Sequence, residues 1–424
     1  MTALRQGGGA DVVVVGGGPA GASTAFHLAR RGVRVTVIDR ARFPRPKPCA
    51  ECLSPQTSRM LYEVGALGEL ENRGVWLRGM TVRAPNGTMA RGDYGASHGF
   101  RAWRDAGLSI RREILDAVLI DRARAAGADI VEGVRTTDVL RDSSGAARGV
   151  QVQERDGRTR TLEAGMIVGA DGLRSVVARR LGLWRRARWP NRISLVAHYI
   201  DVGDVTDYGE MHVEPDGFVG IAAVGGGVTT IAAVFPQSRA AEISQDRSRF
   251  LDAWLASKPQ LRARFAGARR LAPATAVGPF AAHARRSWHP GALLVGDAAD
   301  FFDPFTGEGI YSALRGGELA SAALHDALLH PPEAIASLRQ YDALRRREFA
   351  GKWRVERIIG ACVAFPRVVN RAARALGAKK ELADLLVGVT GDFVPPSAVL
   401  RLGYLAQLFV LPLPVTPRTH ARHA

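Results

Sequence analysis

The chain has 424 residues, of which 46% are hydrophobic and 23% charged, and its formal net charge is +17. No stretch reaches the roughly 18 apolar residues of a membrane-spanning helix, and three cysteines cannot form the disulfide framework of a secreted domain. The basic residues form no run with interleaved aromatics of the kind that binds nucleic acid, so we expect a cytoplasmic protein with no nucleic-acid partner.

The first predicted unit is a strand, a glycine-rich turn, a helix and a second strand. Residues 11–15 form a continuous apolar run, which is typical of a strand buried on both faces. A helical pattern follows through Leu28 and stops at Gly32, and residues 33–38 predict the second strand. This order of elements is that of a dinucleotide-binding unit.

The turn carries Gly-x-Gly-x-x-Gly spacing, and the second strand ends in an acid. Gly16 permits the tight turn, Gly18 lets a pyrophosphate approach the backbone, and Gly21 lets the helix pack closely on the strand. The helix N-terminus faces the phosphates, and Asp39 is placed to accept hydrogen bonds from a ribose. The predicted cofactor contacts of this unit are Gly16, Gly18, Ala20, Gly21 and Asp39.

The middle of the chain alternates between helices and sheets. Residues 54–70 read as a helix with Ser54 as its N-cap, and residues 109–127 read as a second helix. Short strands and loops are expected over residues 76–104, and a β-meander over residues 134–168 turns at Asp156 and Gly157. A buried strand over residues 166–172 ends on an acid and a glycine.

The later elements complete an α/β fold. Residues 193–236 predict a second sheet, residues 292–297 a third buried strand ending in Asp297, and residues 309–329 a long helix; the remainder is mostly helical and basic. We therefore expect a discontinuous Rossmann-like dinucleotide domain with a β-meander (1–75, 107–190 and 275–330). A mostly antiparallel substrate domain (76–106 and 191–274) and a C-terminal helical region (331–424) complete the prediction.

Cys49 and Cys52 stand in Cys-x-x-Cys spacing after the second strand. A zinc site needs about four ligands, and the only other cysteine is Cys362, so no metal site is expected. A redox dithiol stays open, because Cys52 lies two residues before the predicted helix cap. The third interpretation is a loop that lies against a bound cofactor.

Three separated segments together resemble the fingerprints of FAD enzymes of the aromatic hydroxylase type. They are the opening glycine motif, the Gly-Ala-Asp-Gly segment at 169–172, and the Gly-Asp-Ala-Ala segment at 296–299. The resemblance implies that Asp297 lies near the ribityl and pyrophosphate of FAD and that Asp171 packs against the dinucleotide. It also implies that Arg112 reaches the FAD phosphates, and we count Val134 among the cofactor contacts.

Two further stretches are similar to the geranylgeranyl reductase family. They are Pro-Phe-Thr-Gly-Glu-Gly-Ile at 304–310 and Lys-Pro-Cys-Ala at 47–50. The resemblance implies that Gly307, Gly309 and Ile310 begin a helix whose N–H groups face the flavin ring, where they stabilise its reduced anion. It also implies that Cys49 and Ala50 lie near the ring, and Cys49 is the candidate catalytic residue. The family has glycines after this cysteine, whereas this chain has Ala50, Glu51 and Cys52.

The resemblance implies reduction of carbon–carbon double bonds in an isoprenoid or related lipid, with NADPH as a possible electron donor. The alternatives are an FAD monooxygenase acting on an aromatic or polyketide substrate, a flavin-dependent halogenase, and a non-catalytic flavoprotein. A halogenase is disfavoured because the second sheet lacks a tryptophan pair and Lys47 is the only lysine before Lys258. No proton donor is evident, since Tyr199, His198 and His212 are expected to be structural.

The C-terminal quarter and the arginine content bear on a possible membrane contact. Of the 58 basic residues, all but five are arginine, which suits either genome composition or attraction to a phosphate-rich surface. Residues 365–376 mix apolar and arginine positions, and residues 404–415 are strongly apolar. These helices either cap the core or form a patch through which a lipid substrate enters, and the sequence does not indicate an oligomeric state.

Overall fold

A computed structural model of the protein describes residues 9–186, 191–280, 282–301 and 303–410. Among these residues, none of the helices is both long enough and apolar enough to cross a membrane. The fold is mixed α/β, as predicted, with a large parallel and antiparallel sheet, a second sheet and C-terminal helices.

Twenty-four strands are assigned within the described residues. In the first half of the chain they are β1 (Ala10–Val15), β2 (Val35–Asp39), β3 (Cys52–Leu53), β4 (Val75–Leu77), β5 (Gly79–Arg83), β6 (Met89–Asp93), β7 (Ala96–Ser97), β8 (Phe100–Arg101), β9 (Gly107–Ser109), β10 (Asp129–Glu132), β11 (Arg135–Arg141), β12 (Ala147–Gln153) and β13 (Thr159–Gly169). In the second half they are β14 (Trp184–Arg186), β15 (Arg192–Ile200), β16 (Gly209–Glu214), β17 (Gly217–Ala223), β18 (Thr229–Pro236), β19 (Arg269–Arg270), β20 (Thr275–Val277), β21 (Ala282–Ala284), β22 (Trp288–His289), β23 (Ala292–Leu294) and β24 (Asp300–Phe301).

Thirteen α-helices are assigned within the same residues. They are α1 (Pro19–Ala29), α2 (Pro55–Glu63), α3 (Leu67–Leu70), α4 (Arg112–Ala125), α5 (Val176–Arg180), α6 (Ala240–Gln245), α7 (Arg247–Ser257), α8 (Pro259–Phe265), α9 (Gly309–Leu329), α10 (Ala334–Cys362), α11 (Pro366–Ala378), α12 (Lys380–Thr390) and α13 (Leu402–Phe409). Short 3-10 turns include Gly296–Ala298 before β24 and Pro304–Thr306 before α9.

The first sheet has β1 at its centre, because its residues are apolar on both faces. Strand order is β10-β2-β1-β13-β12-β11, with β23 added beside β13. The strands β10, β2, β1, β13 and β23 run parallel, whereas β11, β12 and β13 form the predicted antiparallel meander. Val12 and Val14 pack on the side of α1, α4 and α9, and Val13 and Val15 pack on the side of the meander and α5.

The second sheet has two different faces: an outer face that packs on helices and an inner face on the opposite side. Its order is β19-β15-β18-β17-β16-β5-β6, and only the β16–β5 pair is parallel. Alternate residues such as Leu195, Ile221 and Ile231 pack against α7 and α8. The intervening residues lie on the opposite, inner face. This face contacts loops around the first sheet, through His198 with Glu51 and Phe218 with Phe305.

The C-terminal helices complete the core around this sheet. The long helix α10 packs against α9, and α11, α12 and α13 form one apolar cluster with Ala90 of β6. A Cβ on Gly92 would lie 2.5 Å from the Ala383 carbonyl oxygen, so α12 packs closely on β6. The segment predicted to be helical is therefore helical through residue 409, and residues 411–415 of the predicted apolar stretch lie outside the described ranges.

Two helix predictions need correction. The helix predicted over 109–127 begins only at Arg112, because Ser109 lies in β9 and pairs there with Cys52 and Val75. The helix predicted over 54–70 is divided at Gly65, whose φ of 71° ends α2. The Ser54 cap is confirmed, since its hydroxyl accepts a hydrogen bond from the Thr57 N–H at 3.0 Å.

Candidate active site

The glycine turn after β1 has the close packing that its spacing predicts. Gly16 has a φ of 105°, and a Cβ there would lie 2.4 Å from the Ala170 carbonyl oxygen. A Cβ on Gly21 would lie 1.8 Å from the Gly16 oxygen, so α1 can start this close to β1 only with glycine. Gly18 is different, because the nearest atom to its Cβ would be Arg45 Nη2 at 3.7 Å. The turn therefore leaves room for a ligand at the N-terminus of α1.

Asp39 joins the end of β2 to this turn. Its Oδ2 accepts a hydrogen bond from the Gly17 N–H at 2.8 Å, and its Oδ1 accepts one from the Ala41 N–H at 2.8 Å. Val134 lies beside it and donates its backbone N–H to the Asp39 carbonyl oxygen at 3.0 Å. The contact of Asp39 and Val134 with a ribose stays a prediction, as does that of Ala20, whose methyl group faces Gly296.

The segments that carry Asp171 and Asp297 pack on the same glycine turn. A Cβ on Gly16 would approach the Asp171 Cα to 3.0 Å, and the Asp171 carboxylate accepts hydrogen bonds from Ser175 Oγ at 2.6 Å and from the Val176 N–H at 2.5 Å. Asp297 follows β23 and is close to Lys47. Burial raises the pKa of Asp297, and the Lys47 and Arg112 charges oppose that shift.

Arg45 and Lys47, which lie partly buried in the loop after β2, join the buried Arg112 in a cluster of charges. Arg112 forms two hydrogen bonds with Asp116, at 2.7 and 2.9 Å, and Arg45 lies 3.0 Å from the same carboxylate. Burial lowers the pKa of Lys47, although the Asp297 carboxylate raises it. The sequence interpretation missed Arg45 and Lys47 as site residues; their place immediately after β2, beside the expected phosphate site, was the available signal.

These residues fit the pyrophosphate of a dinucleotide. Arg45 lies beside Gly18 at the N-terminus of α1, where backbone N–H groups and the helix dipole favour an anion. Arg112 shares the Asp116 carboxylate with Arg45, and Lys47 is close enough to both arginines for their charges to lower its pKa. Arg112 already has a carboxylate partner in Asp116, so its contact with phosphate depends on sharing its guanidinium between the two.

The turn before α9 presents a second open position. Asp303 caps it by accepting a hydrogen bond from the Phe305 N–H at 3.1 Å, and Gly307 has a φ of 73°. A Cβ on Gly307 or on Gly309 would meet no atom within 4 Å, so both glycines border free space. The first N–H groups of α9 have no intrahelical acceptor, whereas the Ile310 side chain is buried in the core and offers only its backbone.

The two cysteines have different environments and form no disulfide. Cys49 is partly buried beside Arg112, and its Sγ accepts a hydrogen bond from the Glu51 N–H at 3.4 Å. Cys52 lies in β3, where burial raises the pKa of its thiol to about 12. A thiol that stays protonated at neutral pH is a poor redox partner, so the geometry disfavours the dithiol interpretation and explains Cys52 as a packing residue.

Glu51, between these cysteines, was not predicted as a site residue. It is buried with a φ of 63°, and its Oε1 accepts a hydrogen bond from the Arg112 N–H at 2.8 Å. Its Oε2 lies 2.7 Å from Nε2 of His198 on the second sheet. Glu51 therefore connects the loop that carries Cys49 and Cys52 (the cysteine loop) with the start of α4 and with the second sheet.

The inner face of the second sheet lies opposite these loops and is mostly apolar. His198 and Phe218 mark the face, since His198 contacts Glu51 and Phe218 packs on Phe305 with ring centroids 5.1 Å apart. The same face carries mostly small or apolar side chains at alternate positions, namely Ser194, Val196, Gly220, Ala222, Thr230, Ala232 and Val234. Tyr199 and His212 point to the other face, where they bind Asp252 and Glu210.

Within the described ranges, no group of three or more His, Cys, Asp and Glu side chains could hold a metal ion. The polar groups that converge on the open positions are instead backbone N–H groups, arginines and a lysine. Such a set suits an anionic organic cofactor.

The comparison with protein families gives one extended match. Residues 9–347 match the family model described as FAD binding domain. This range includes the glycine turn, the cysteine loop, both acid segments and the turn before α9.

Several curated proteins are similar over most of their length. A conditioned medium factor receptor 1 from Dictyostelium discoideum is 26% identical, covering 90% of this chain and 76% of that protein. A digeranylgeranylglycerophospholipid reductase from Methanosarcina mazei is 26% identical, over 80% of this chain and 81% of the other. A menaquinone reductase from Mycobacterium tuberculosis is 29% identical, over 91% of both chains.

Solved structures with the same fold include enzymes of different chemistry. A flavoprotein/dehydrogenase from Cytophaga hutchinsonii superposes with a TM-score of 0.80 at 20% identity, covering 94% of this chain and 96% of that one. A myxobacterial chondrochloren halogenase gives a TM-score of 0.75 at 23% identity, covering 82% and 81%. At this identity the likeness shows the fold.

Proposed function

The chain belongs to the FAD-binding domain family and is an FAD-dependent oxidoreductase; on this premise we propose that it reduces carbon–carbon double bonds of an isoprenoid or related lipid. The proposal follows from the resemblance of residues 47–50 and 304–310 to the geranylgeranyl reductase family, and from FAD as the expected cofactor. NADPH is the electron donor that we propose with it.

The residues described above have separable roles in holding FAD. The Gly16–Gly21 turn, Arg45, Lys47 and Arg112 bind the pyrophosphate, and Asp39 and Asp297 take the sugar hydroxyls. Gly307 and Gly309 give the ring access to the N–H groups of α9, and Cys49 and Ala50 border the ring. Bound FAD, once reduced, supplies a hydride.

The observation that carries the proposal is the inner face of the second sheet. An isolated double bond offers no polar group to bind, so the protein must hold it by shape in a dry pocket. The inner positions Val196, Ala222 and Ala232 offer such a surface, on the face that contacts the turn before α9 through Phe218 and Phe305. The names of two relatives, a digeranylgeranylglycerophospholipid reductase and a menaquinone reductase, support a substrate with a polyprenyl chain.

The test is a single-turnover reaction without oxygen. The purified protein is reduced anaerobically and mixed with geranylgeranyl lipids or with menaquinone, and the products are analysed by mass spectrometry. We expect reoxidation of the flavin together with a gain of two hydrogen atoms in the polyprenyl chain, measured for menaquinone after its ring has been reoxidised to the quinone. Reoxidation that requires oxygen, with consumption of one O2 per product, would instead identify a monooxygenase.

A matched pair of variants tests the sheet face. Ala232→Phe fills the inner face, whereas Ala240→Phe lies on α6, on the outer side of the sheet. We expect Ala232→Phe to keep FAD but to lower turnover of the lipid. Equal turnover in both variants would contradict an inner-face substrate site.

We also propose that the C-terminal helices contact a membrane surface from which the lipid enters. Phe365 and Leu402 expose 59% and 85% of their surface. Phe365 precedes α11, which carries arginines at 367, 371 and 374, and α13, which begins with Leu402, packs against that helix. The test is co-sedimentation with phosphatidylglycerol vesicles. Leu402→Glu should reduce binding to the vesicles, whereas Leu329→Glu, at an exposed leucine on α9, should not. Equal binding by the wild type and both variants would contradict this proposal.

A further inference from the structure

Behind the Gly307–Gly309 turn, a buried carboxyl has no hydrogen-bond donor among the described residues. Glu308 exposes 3% of its surface, and neither of its carboxyl oxygens has a hydrogen-bond partner there. The nearest opposite charge is Lys352 on α10, whose Nζ lies 4.0 Å from Glu308 Oε2. An unpartnered buried carboxylate costs several kcal/mol, so this arrangement needs an explanation.

Lys352 is shared among several groups. It forms a close ion pair with Asp392, and its Nζ lies 3.9 Å from the centre of the Tyr311 ring. Glu356, one helical turn after Lys352 on α10, accepts a hydrogen bond from Thr306 Oγ1 at 3.3 Å. The groups that face this cluster from neighbouring elements are Tyr94, Asp303, Glu348 and the Cys52 thiol behind Tyr94.

The charges in this cluster do not balance if every group is ionised. Glu308, Glu356 and Asp392 bring three carboxyls to one ammonium group, and a dry site does not hold that excess of negative charge. Burial raises the pKa of Glu308 to about 7, and the charge of Lys352 opposes the shift. Burial, together with the charges of Glu308 and Asp303, raises the pKa of Glu356 well above its usual value. Near neutral pH the cluster therefore holds at least one proton on a carboxyl.

The cluster reaches the place where the proposed reaction occurs. Glu308 lies between the two glycines that border free space, and its own backbone begins α9. Negative charge that develops on a cofactor bound at this turn acts on the nearest ionisable group through a low-dielectric medium. Because Glu308 is buried and unpartnered, its protonation state responds strongly to that charge.

We propose that Glu308 takes up a proton from solvent when the bound FAD is reduced and returns that proton when the substrate is saturated. This inference rests on the proposed function for its second half only. A hydride donor brings two electrons and one proton to the cofactor, and water supplies the proton that binds the Glu308 carboxylate. In the second half, hydride bonds to one alkene carbon, water supplies the proton for the neighbouring carbon, and the buried Glu308 carboxyl releases its own proton to solvent. The alkene is then reduced, the cofactor oxidised, and Glu308 is a carboxylate again.

Lys352 and Glu356 are positioning residues in this scheme. The ammonium group of Lys352 stabilises the Glu308 carboxylate after the proton has left, and Glu356 holds a proton one helical turn away.

The test measures the midpoint potential of the bound FAD against pH, without substrate. The slope of the potential with pH reports the protons taken up per electron. For the wild-type protein we expect a change of slope near pH 7, which the isosteric Glu308→Gln variant loses. Lys352→Met should move the change to higher pH, because the cation no longer favours the carboxylate. The control is Glu318→Gln, a partly exposed carboxylate on α9 that pairs with Arg315.

The possible outcomes separate this inference from the proposed function. An identical slope in wild type and Glu308→Gln, or an equal loss in Glu318→Gln, overturns the inference. Should Glu308→Gln fail to retain FAD, infrared difference spectra of the wild-type protein decide: reduction must increase the protonated-carboxyl signal of labelled glutamate, and its absence overturns the proposal. Failure of the lipid assay with the slope change intact would reject the substrate but keep the proton uptake by Glu308.

Discussion

Glu51 and His198 connect two parts of the chain that are far apart in sequence, with Glu51 Oε2 lying 2.7 Å from His198 Nε2. One partner belongs to the cysteine loop and the other to the second sheet. The contact fixes the distance between the loop that borders the proposed flavin ring and the sheet face that we propose for the substrate.

The first prediction concerns this contact. Glu51→Ala removes a buried acceptor for the Arg112 N–H and for His198, so we expect the free energy of unfolding to fall by about 1–3 kcal/mol. The measurement is urea unfolding followed by circular dichroism. Glu113→Ala serves as the control, because Glu113 lies next to Arg112 on the first turn of α4 but is partly exposed. This variant should change stability by less than about 1 kcal/mol. A loss of the same size in both variants would show that the contact adds no stability.

The second prediction concerns the close packing of α1 on β1. A methyl group at Gly21 would lie 1.8 Å from the Gly16 oxygen, so Gly21→Ala must displace the turn and should abolish FAD binding. Gly68→Ala is a matched control, because Gly68 is helical and its Cβ would meet no atom within 4 Å. We expect the control to be neutral or to gain about 0.5–1 kcal/mol. Flavin absorbance of the purified variants and their thermal unfolding provide the comparison, and a yellow Gly21→Ala protein would refute the prediction.

The third prediction concerns Lys47. Lys47→Gln removes one of the cations placed for the pyrophosphate, and a charge-assisted hydrogen bond of about 1.5–3 kcal/mol corresponds to a roughly tenfold to hundredfold weaker FAD affinity. Titration of the apoprotein with FAD, followed by flavin fluorescence, measures the change. Lys379→Gln is the control, since Lys379 donates to Gln407 away from this site. Unchanged affinity in Lys47→Gln would place the pyrophosphate elsewhere.

The fourth prediction uses the different environments of the two thiols. The pKa of Cys52 is raised to about 12 from its ordinary value of 9.0, because burial disfavours the thiolate. In the folded protein Cys52 should therefore resist iodoacetamide around pH 8, whereas the partly buried Cys49 should react. Peptide mapping by mass spectrometry distinguishes the two sites, and rapid alkylation of native Cys52 would contradict its assignment as a packing residue.

The same shift predicts how stability depends on pH. The unfolded chain releases the Cys52 proton above about pH 9, whereas the folded chain keeps it until about pH 12. The contribution of the Cys52 thiol to the free energy of unfolding is therefore complete below pH 9, and it declines as the pH rises toward 12. Cys52→Ala should show a smaller alkaline loss of stability than the wild type, and an equal loss would contradict the raised pKa.

Local patterns predicted the elements that surround the candidate cofactor site. The glycine spacing and the apolar run of β1 are properties of neighbouring residues, and the helix α9 has the predicted bounds, 309–329. The error at Ser109 has a cause that is not local: Ile110 and Ile114 continue the helical spacing, but the pairing of Ser109 with Cys52, a distant residue in the sequence, keeps it in a strand.

The residues that sequence reasoning missed depend on contacts between distant segments. Glu51 is 147 positions from His198, and Glu308 meets Lys352 only because α9 and α10 pack together. No periodicity encodes either distance. Glu308 was recognised as part of a motif, but its burial without a donor is visible only in three dimensions.

The placement of Lys352 restricts how this chain can change over time. This protein uses arginine at 53 of its 58 basic positions. Position 352 is nevertheless a lysine, buried beside Glu308 and Asp392. An arginine there would need more volume and would keep its charge at every physiological pH. Replacement of this buried lysine by arginine would therefore disturb its pairing with Glu308 and Asp392, a constraint that an exposed lysine does not have.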